Sequence, residues 1–168
     1  MDNEYYIYLR VPEYTRQWAI FHFGNEEKDA VNTKNWYVLN GFMIDNLRRN
    51  TSGYHFTKGE RYNLKIIVPD SRMKRKKDYN YMMANARLKM AKMIREIMFA
   101  QFWQFVLPSW NTISMDRRHR NKAYTFDKCI MDFFDHNGIE YSEQASNSFK
   151  KEFARQRKIL NQKYGIKI

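Results

Sequence analysis

The sequence predicts a predominantly helical α+β protein with short N-terminal strands and amphipathic helices, one long central helix and a C-terminal helix-turn-helix-like unit. Three observations carry this. Apolar residues alternate with polar ones over 5–11 and again over 62–68, each run closed by a proline; an apolar repeat of three and four runs on from residue 78; and cap and stop signals follow residue 125. With 43% apolar and 17% aromatic residues in 168, the chain can bury a core, as one domain or as two small units. The expected division is 1–70, a strand-helix-helix-strand unit, and 78–168, a helical unit with a basic last helix.

In the first strand Ile7, Leu9 and Val11 alternate with Tyr6, Tyr8 and Arg10, the period of a half-buried strand. Pro12 ends it. From Glu13 the period lengthens: Tyr14, Trp18 and Phe21 share a helical face, and Gly24 stands where a C-cap is expected. After a polar loop over 25–31, Asn32 or Thr33 is placed to cap a second helix with the stripe Trp36, Leu39, Met43 and Leu47. The second strand puts Leu64, Ile66 and Val68 on one face and stops at Pro69. It either pairs with the first strand inside the chain, or leaves that strand to pair with a second chain.

A long helix is expected from Asp78 or Asn80 to about Leu107. Met83, Ala86, Met90, Met93, Ile97 and Phe105 form its apolar stripe, with Arg87, Lys89, Lys92 and Arg95 on other faces. Beyond it, Thr125 opens a short helix marked by Phe126, Ile130 and Phe133, and Asn137-Gly138 stops it. Ser142 caps the last helix, with Glu143 in its first turn where a carboxylate suits the helix dipole. There Ala145, Phe149, Phe153 and Leu160 point inward, whereas Asn147, Lys150, Lys151, Arg155 and Lys158 gather outward. A helix, a short turn and a basic second helix is the outline of a helix-turn-helix unit.

Charge supplies the functional expectation. Thirty Lys and Arg against eighteen Asp and Glu give +12, and the excess gathers at 72–77 (Arg72, Lys74, Arg75, Lys76, Lys77), at 117–122 (Arg117, Arg118, Arg120 among them) and at 150–158. Such a surface attracts a polyanion, with counterion release supplying much of the affinity. The strand-helix-helix order of residues 5–49 resembles the ribbon-helix-helix family of DNA-binding proteins. The resemblance implies that two chains pair their first strands into a ribbon, Ile7, Leu9 and Val11 facing the dimer core and Tyr6, Tyr8 and Arg10 facing bases in the major groove. Residues 127–160, chiefly 133–140 and 149–158, are similar to small uncharacterised DNA-binding proteins of phages and mobile elements, which implies a regulator or accessory factor of such an element.

Enzyme chemistry finds little support. There is no phosphate-binding glycine loop, no G-x-S-x-G elbow and no H-E-x-x-H. His22, His55, His119 and His136 are scattered; Asp132, Asp135 and His136 form one compact group, which reads more simply as the polar face of a short helix. Cys129, the single cysteine, is expected in the core. No cofactor or metal is expected, no stretch is apolar enough to span a membrane, and an acidic start without an apolar run argues against a signal peptide, hence a cytoplasmic protein. The expectation is a sequence-preferring binder of duplex DNA, not an enzyme, acting as a homodimer. The alternatives are an RNA-binding protein stacking bases on Tyr6, Tyr8 and Tyr54, an interaction protein whose basic face meets an acidic partner, and, last, a metal-dependent nuclease.

Overall fold

Alternation in the first segment becomes an edge strand, β1 (Tyr6–Leu9). The structure, a computed structural model, describes residues 5–25, 29–51, 62–119 and 125–165, the side chains of 25, 109–119 and 164 excepted. Ile7, Leu9 and Val11 are buried; Tyr6 and Tyr8 are half-buried and Arg10 is exposed. β1 pairs antiparallel with β5 (Leu64–Ile67) of the same chain, Ile7 opposite Ile66 and Tyr8 opposite Lys65. Of the two pairings the sequence allowed, β1 takes the intramolecular one, with β5 on one side of it and the sheet edge on the other. Leu64 and Ile66 offer it a matching apolar face without the entropy cost of joining two chains. Past Leu9 the ladder is continued by a side chain: Asn63 Oδ1 accepts from the Val11 N–H at 3.1 Å and Nδ2 donates to the Val11 carbonyl at 2.9 Å.

The next helix, α1 (Glu13–Phe23), buries Tyr14, Thr15, Trp18 and Ala19. Phe21, expected on that face, is 59% exposed; the buried face is filled out by Thr15 and Ala19 and does not extend through the last turn. Gly24 does cap α1, its N–H bonded to the Ile20 carbonyl in an extended conformation. Glycine is required because a Cβ there would collide with that carbonyl. The expected loop contains a hairpin, β2 (Gly24–Asn25) paired antiparallel with β3 (Ala30–Asn32). β3 lies parallel to β5, a relation that demands a crossover, and α2 (Tyr37–Asn46) lies in it. The sheet order is β1-β5-β3-β2.

Leu39 and Met43 are buried on α2 as expected, but the helix is shorter than its apolar stripe. Trp36 is the N-cap residue and Leu47 opens β4 (Leu47–Arg48). Neither Asn32 nor Thr33 caps it with a side chain; Asn32 Oδ1 instead accepts from the Lys34 N–H at 2.9 Å, a turn ahead of the helix. β4 pairs antiparallel with β6 (Tyr81–Met82), two residues the sequence assigned to the long helix. Asn50 prolongs this pairing, its N–H to the Asp78 carbonyl at 3.0 Å and its amide to Asn80 Oδ1 at 2.9 Å.

Between β5 and β6 the segment 69–77, which contains the basic run 72–77, is folded onto the end of α2. Lys74 Nζ donates to the carbonyls of Ile44, Asp45 and Leu47 at 2.5, 3.2 and 3.1 Å. α2 has no basic residue in its own last turn, so this ammonium meets carbonyls that a helix end leaves unsatisfied, at the negative pole of its dipole. Ser71 Oγ holds the turn by accepting from the Lys74 N–H at 2.9 Å.

The long helix α3 (Ala84–His119) has 36 residues. It begins after β6, not at Asp78 or Asn80, and it does not stop at Leu107: Pro108 lies inside it, removing one backbone hydrogen bond. The buried face is Arg87, Met90, Ile94, Met98, Phe102 and Val106, with Phe99 beside it. Of the expected stripe only Met90 is buried; Met83 is 57% exposed, and Ala86, Met93, Ile97 and Phe105 are half-buried. Both sets repeat at three and four, so periodicity fits either, and the true face is shifted by one residue.

The chain groups into two compact units, 1–96 and 97–168. The division falls inside α3, after the sequence bounds of 1–70 and 78–168, because the first turns of α3, with Met90 and Ile94 buried, group with the sheet. In the second unit, α4 (Phe126–His136) is capped by Thr125 Oγ1, which accepts from the Lys128 N–H at 3.2 Å. It ends at Asn137, followed by Gly138 at φ 63°, a left-handed position suited to glycine. α5 (Glu143–Tyr164) is capped by Ser142, whose Oγ accepts from the Ala145 N–H at 3.1 Å. Phe149 is the hub of the core: its ring lies 4.9 Å from Phe99, Phe102 and Phe134 and 5.7 Å from Phe133. Trp103 stacks on Phe153 at 4.7 Å, and Cys129 is buried. Among the described residues no helix is long and apolar enough to cross a membrane.

Two stability predictions follow from these contacts. Phe149→Ala should cost about 3–5 kcal/mol, the range for a large aromatic removed from a packed core. Lys74→Met should cost about 1–2 kcal/mol through the uncapped end of α2. Urea unfolding followed by circular dichroism measures both; an unchanged midpoint for Phe149→Ala would place the core of the second unit elsewhere.

Candidate nucleic-acid interface

Burial of Ala145, Phe149 and Phe153 turns the opposite face of α5 to solvent. Asn147, Lys151, Arg155 and Lys158 are exposed on it, as the sequence reading placed them, and Lys150 is half-buried at its border. Leu160 is half-buried. Asn147, Lys151 and Arg155 succeed one another at intervals of four, so they form one ridge.

Two of these cations have acidic neighbours. Lys150 Nζ lies 2.5 Å from Asp127 Oδ1 in the first turn of α4. Arg155 donates to both Glu152 oxygens, at 3.1 and 2.5 Å. The exposed Lys150–Asp127 pair is of a kind worth under about 1 kcal/mol, so a phosphate can share or displace it at small cost, whereas the Glu152 that holds Arg155 is only 13% exposed. Next to the ridge runs a groove of about 520 Å³. Phe126, Phe153 and Ala154 form its apolar wall, Lys150, Arg157 and Lys158 bring the positive charge, and Asn161 and Gln162 add amides. Arg157, Asn161 and Gln162 were not among the expected contacts. Arg157 sits within the basic run and seven residues after Lys150, a helical spacing that could have found it.

The other basic runs are placed differently. In 72–77, Lys74 is turned onto α2, Arg75 pairs with Asp78 at 3.2 Å, and the Lys76 N–H donates to Asp70 Oδ1 at 3.1 Å. Arg72 and Lys77 are exposed and Lys76 is half-buried. Lys74 is thus a structural cation, a correction to its expected role at a phosphate. Arg117, Arg118 and Arg120 lie outside the described residues and side chains, as does Tyr54. Tyr6 and Tyr8 stand on the sheet face opposite the core, with Arg10 beyond them. Lys65, which the sequence reading did not single out, lies opposite Tyr8 and holds its ammonium 4.2 Å from the centre of the Tyr6 ring.

In the acidic-imidazole group, the His136 ring Nδ1 meets the Asp132 carbonyl at 2.7 Å, a contact within one helix turn. Among the described residues no group of three or more His, Cys, Asp or Glu is arranged to hold a metal ion. Comparison with protein-family models, curated proteins and solved structures gave no match to the chain.

Proposed function

We propose that the chain binds duplex DNA through the exposed face of α5, as a sequence-preferring DNA-binding protein, and that it does so as a homodimer. The observation that carries this reading is the continuous ridge of Asn147, Lys151, Arg155 and Lys158, held outward by Phe149 and Phe153 on the other side of the same helix. The division of labour along α5 follows from its chemistry. Asn147, near the capped start, has the paired donor and acceptor that suit an adenine edge in the major groove, and the early turns of a second helix are those that reach bases in helix-turn-helix units. Lys151, Arg157 and Lys158, later in the helix, are suited to the phosphates that set register. Exposed Phe21, Tyr37 and Val38 on α1 and α2 support a second copy, since apolar side chains left at a surface favour association.

The test is the salt dependence of duplex binding. Replacing Lys151 and Lys158 together by Glu should weaken binding by tenfold or more and reduce the slope of log K against log salt by about 2, roughly one for each lost phosphate contact. Electrophoretic shifts at several salt concentrations give both numbers, and unchanged affinity and slope would remove α5 from the interface. For the assembly, light scattering should read twice the 20.6 kDa chain mass; a clean monomer at micromolar concentration would sink the dimer.

A further inference from the structure

We infer that the half-buried face of the four-stranded sheet that carries Tyr6 and Tyr8 is a second nucleic-acid surface, one that takes unpaired bases of single-stranded DNA. It does not rest on the reading of α5, which belongs to the other unit. The pleat sets the residues of this face. Tyr6, Tyr8 and Arg10 come from β1 and its continuation, Lys65 and Ile67 from β5, and buried Ala30 and exposed Asn32 from β3. Two aromatic rings, a lysine between the strands and an arginine at the end therefore share one side of one sheet.

The chemistry of that row selects its ligand. Base stacking on an aromatic ring needs a π-face and no particular base edge, and a nearby cation serves the connecting phosphate. Lys65 holds its ammonium over the Tyr6 ring, 4.2 Å from its centre, while lying opposite Tyr8 in the ladder, so the cation stands over one ring and its residue pairs with the other. None of the described residues on this face is a carboxylate, which disfavours a basic partner. Spacing distinguishes single strand from duplex. Residues two apart on a strand are separated by about 6.7 Å, twice the roughly 3.4 Å rise between stacked nucleotides, so bases on Tyr6 and Tyr8 belong to an extended, unstacked strand. Oligo-U tests the choice of DNA, because the Asn32 amide and the tyrosine hydroxyls are groups able to bond a ribose 2′-hydroxyl.

The experiment measures fluorescence anisotropy of labelled oligo-dT, oligo-U and a duplex with the full-length protein. Replacing both rings, Tyr6→Leu with Tyr8→Leu, should weaken oligo-dT binding by tenfold or more, while Tyr6→Phe with Tyr8→Phe keeps it within about twofold, because the ring stacks and the hydroxyl does not. Both pairs should leave duplex binding unchanged. The Lys151→Glu, Lys158→Glu protein should show the reverse, losing the duplex and keeping oligo-dT, so failure of the α5 reading and failure of this one are distinguishable. Lys65→Glu provides an independent variant if the leucine pair does not fold, with a loss of about tenfold expected from a reversed charge at the phosphate. Oligo-dT affinity unchanged in both the leucine pair and Lys65→Glu, equal losses in the leucine and phenylalanine pairs, or single-strand and duplex binding falling together would each overturn the proposal. Tighter binding of oligo-U than of oligo-dT would overturn the assignment to DNA.

Discussion

The packing of Phe149 against Phe99, Phe102, Phe133 and Phe134 fixes which way α5 faces. A helix with lysines around much of its circumference has no preferred orientation from charge alone, since every cation is content in water. One aromatic residue in a close-packed cluster removes that freedom, because rotating the helix would expose its ring and leave a void among the rest. The ridge of Asn147, Lys151, Arg155 and Lys158 is outward as a consequence. Caps at Thr125 and Ser142 act in the same direction: they set where each helix begins, and thereby the phase of every later residue.

In the sheet unit the corresponding constraint is the supply of partners for backbone groups. A strand that ends, or a helix that stops, leaves carbonyls and N–H groups that must be met. Asn63 meets both polar groups of Val11, and Lys74 meets three carbonyls at the end of α2. Both are polar, Asn63 at the start of the second alternating run and Lys74 in the basic run 72–77. Their work is structural, which shows why a run of basic residues is a poor locator of a binding surface by itself: within 72–77, one lysine is a helix cap and one arginine is paired with its own neighbour, Asp78.

What the sequence made legible follows the range over which its signals act. β1, β5, α4 and α5 were readable because their evidence is local and redundant: alternation over six or seven residues, or a hydroxyl cap followed by a periodic aromatic face. The strands β2, β3, β4 and β6 have two or three residues each, too few for any period to register, and they exist only because a distant partner supplies hydrogen bonds. The face of α3 was misread for another reason. Its apolar residues cover more than one side, and the buried side includes Arg87, 8% exposed, which charge alone would assign to solvent. A guanidinium can enter such a place when a ring lies across it, and Arg87 stands 5.2 Å from the centre of Tyr62. Of the candidate interface, the α5 ridge could be read directly, whereas Lys65 gains its meaning only from the ladder that sets it opposite Tyr8.

The two proposed surfaces would ask different things of a nucleic acid, and that difference bears on how one small chain could use both. The α5 ridge is mainly charge, which acts at a distance, tolerates small errors of position and weakens with salt. Tyr6 and Tyr8 act only in contact, require a base already released from its stack, and lose little to salt because stacking involves no counterion. A duplex held by the first surface alone would remain double-stranded. Engagement of the second adds the cost of unpairing, a few kcal/mol per base, which stacking on two rings offsets in part. On that proposal the tyrosine face would select DNA that is already open, and the net charge of +12 would raise the local concentration of either form without choosing between them.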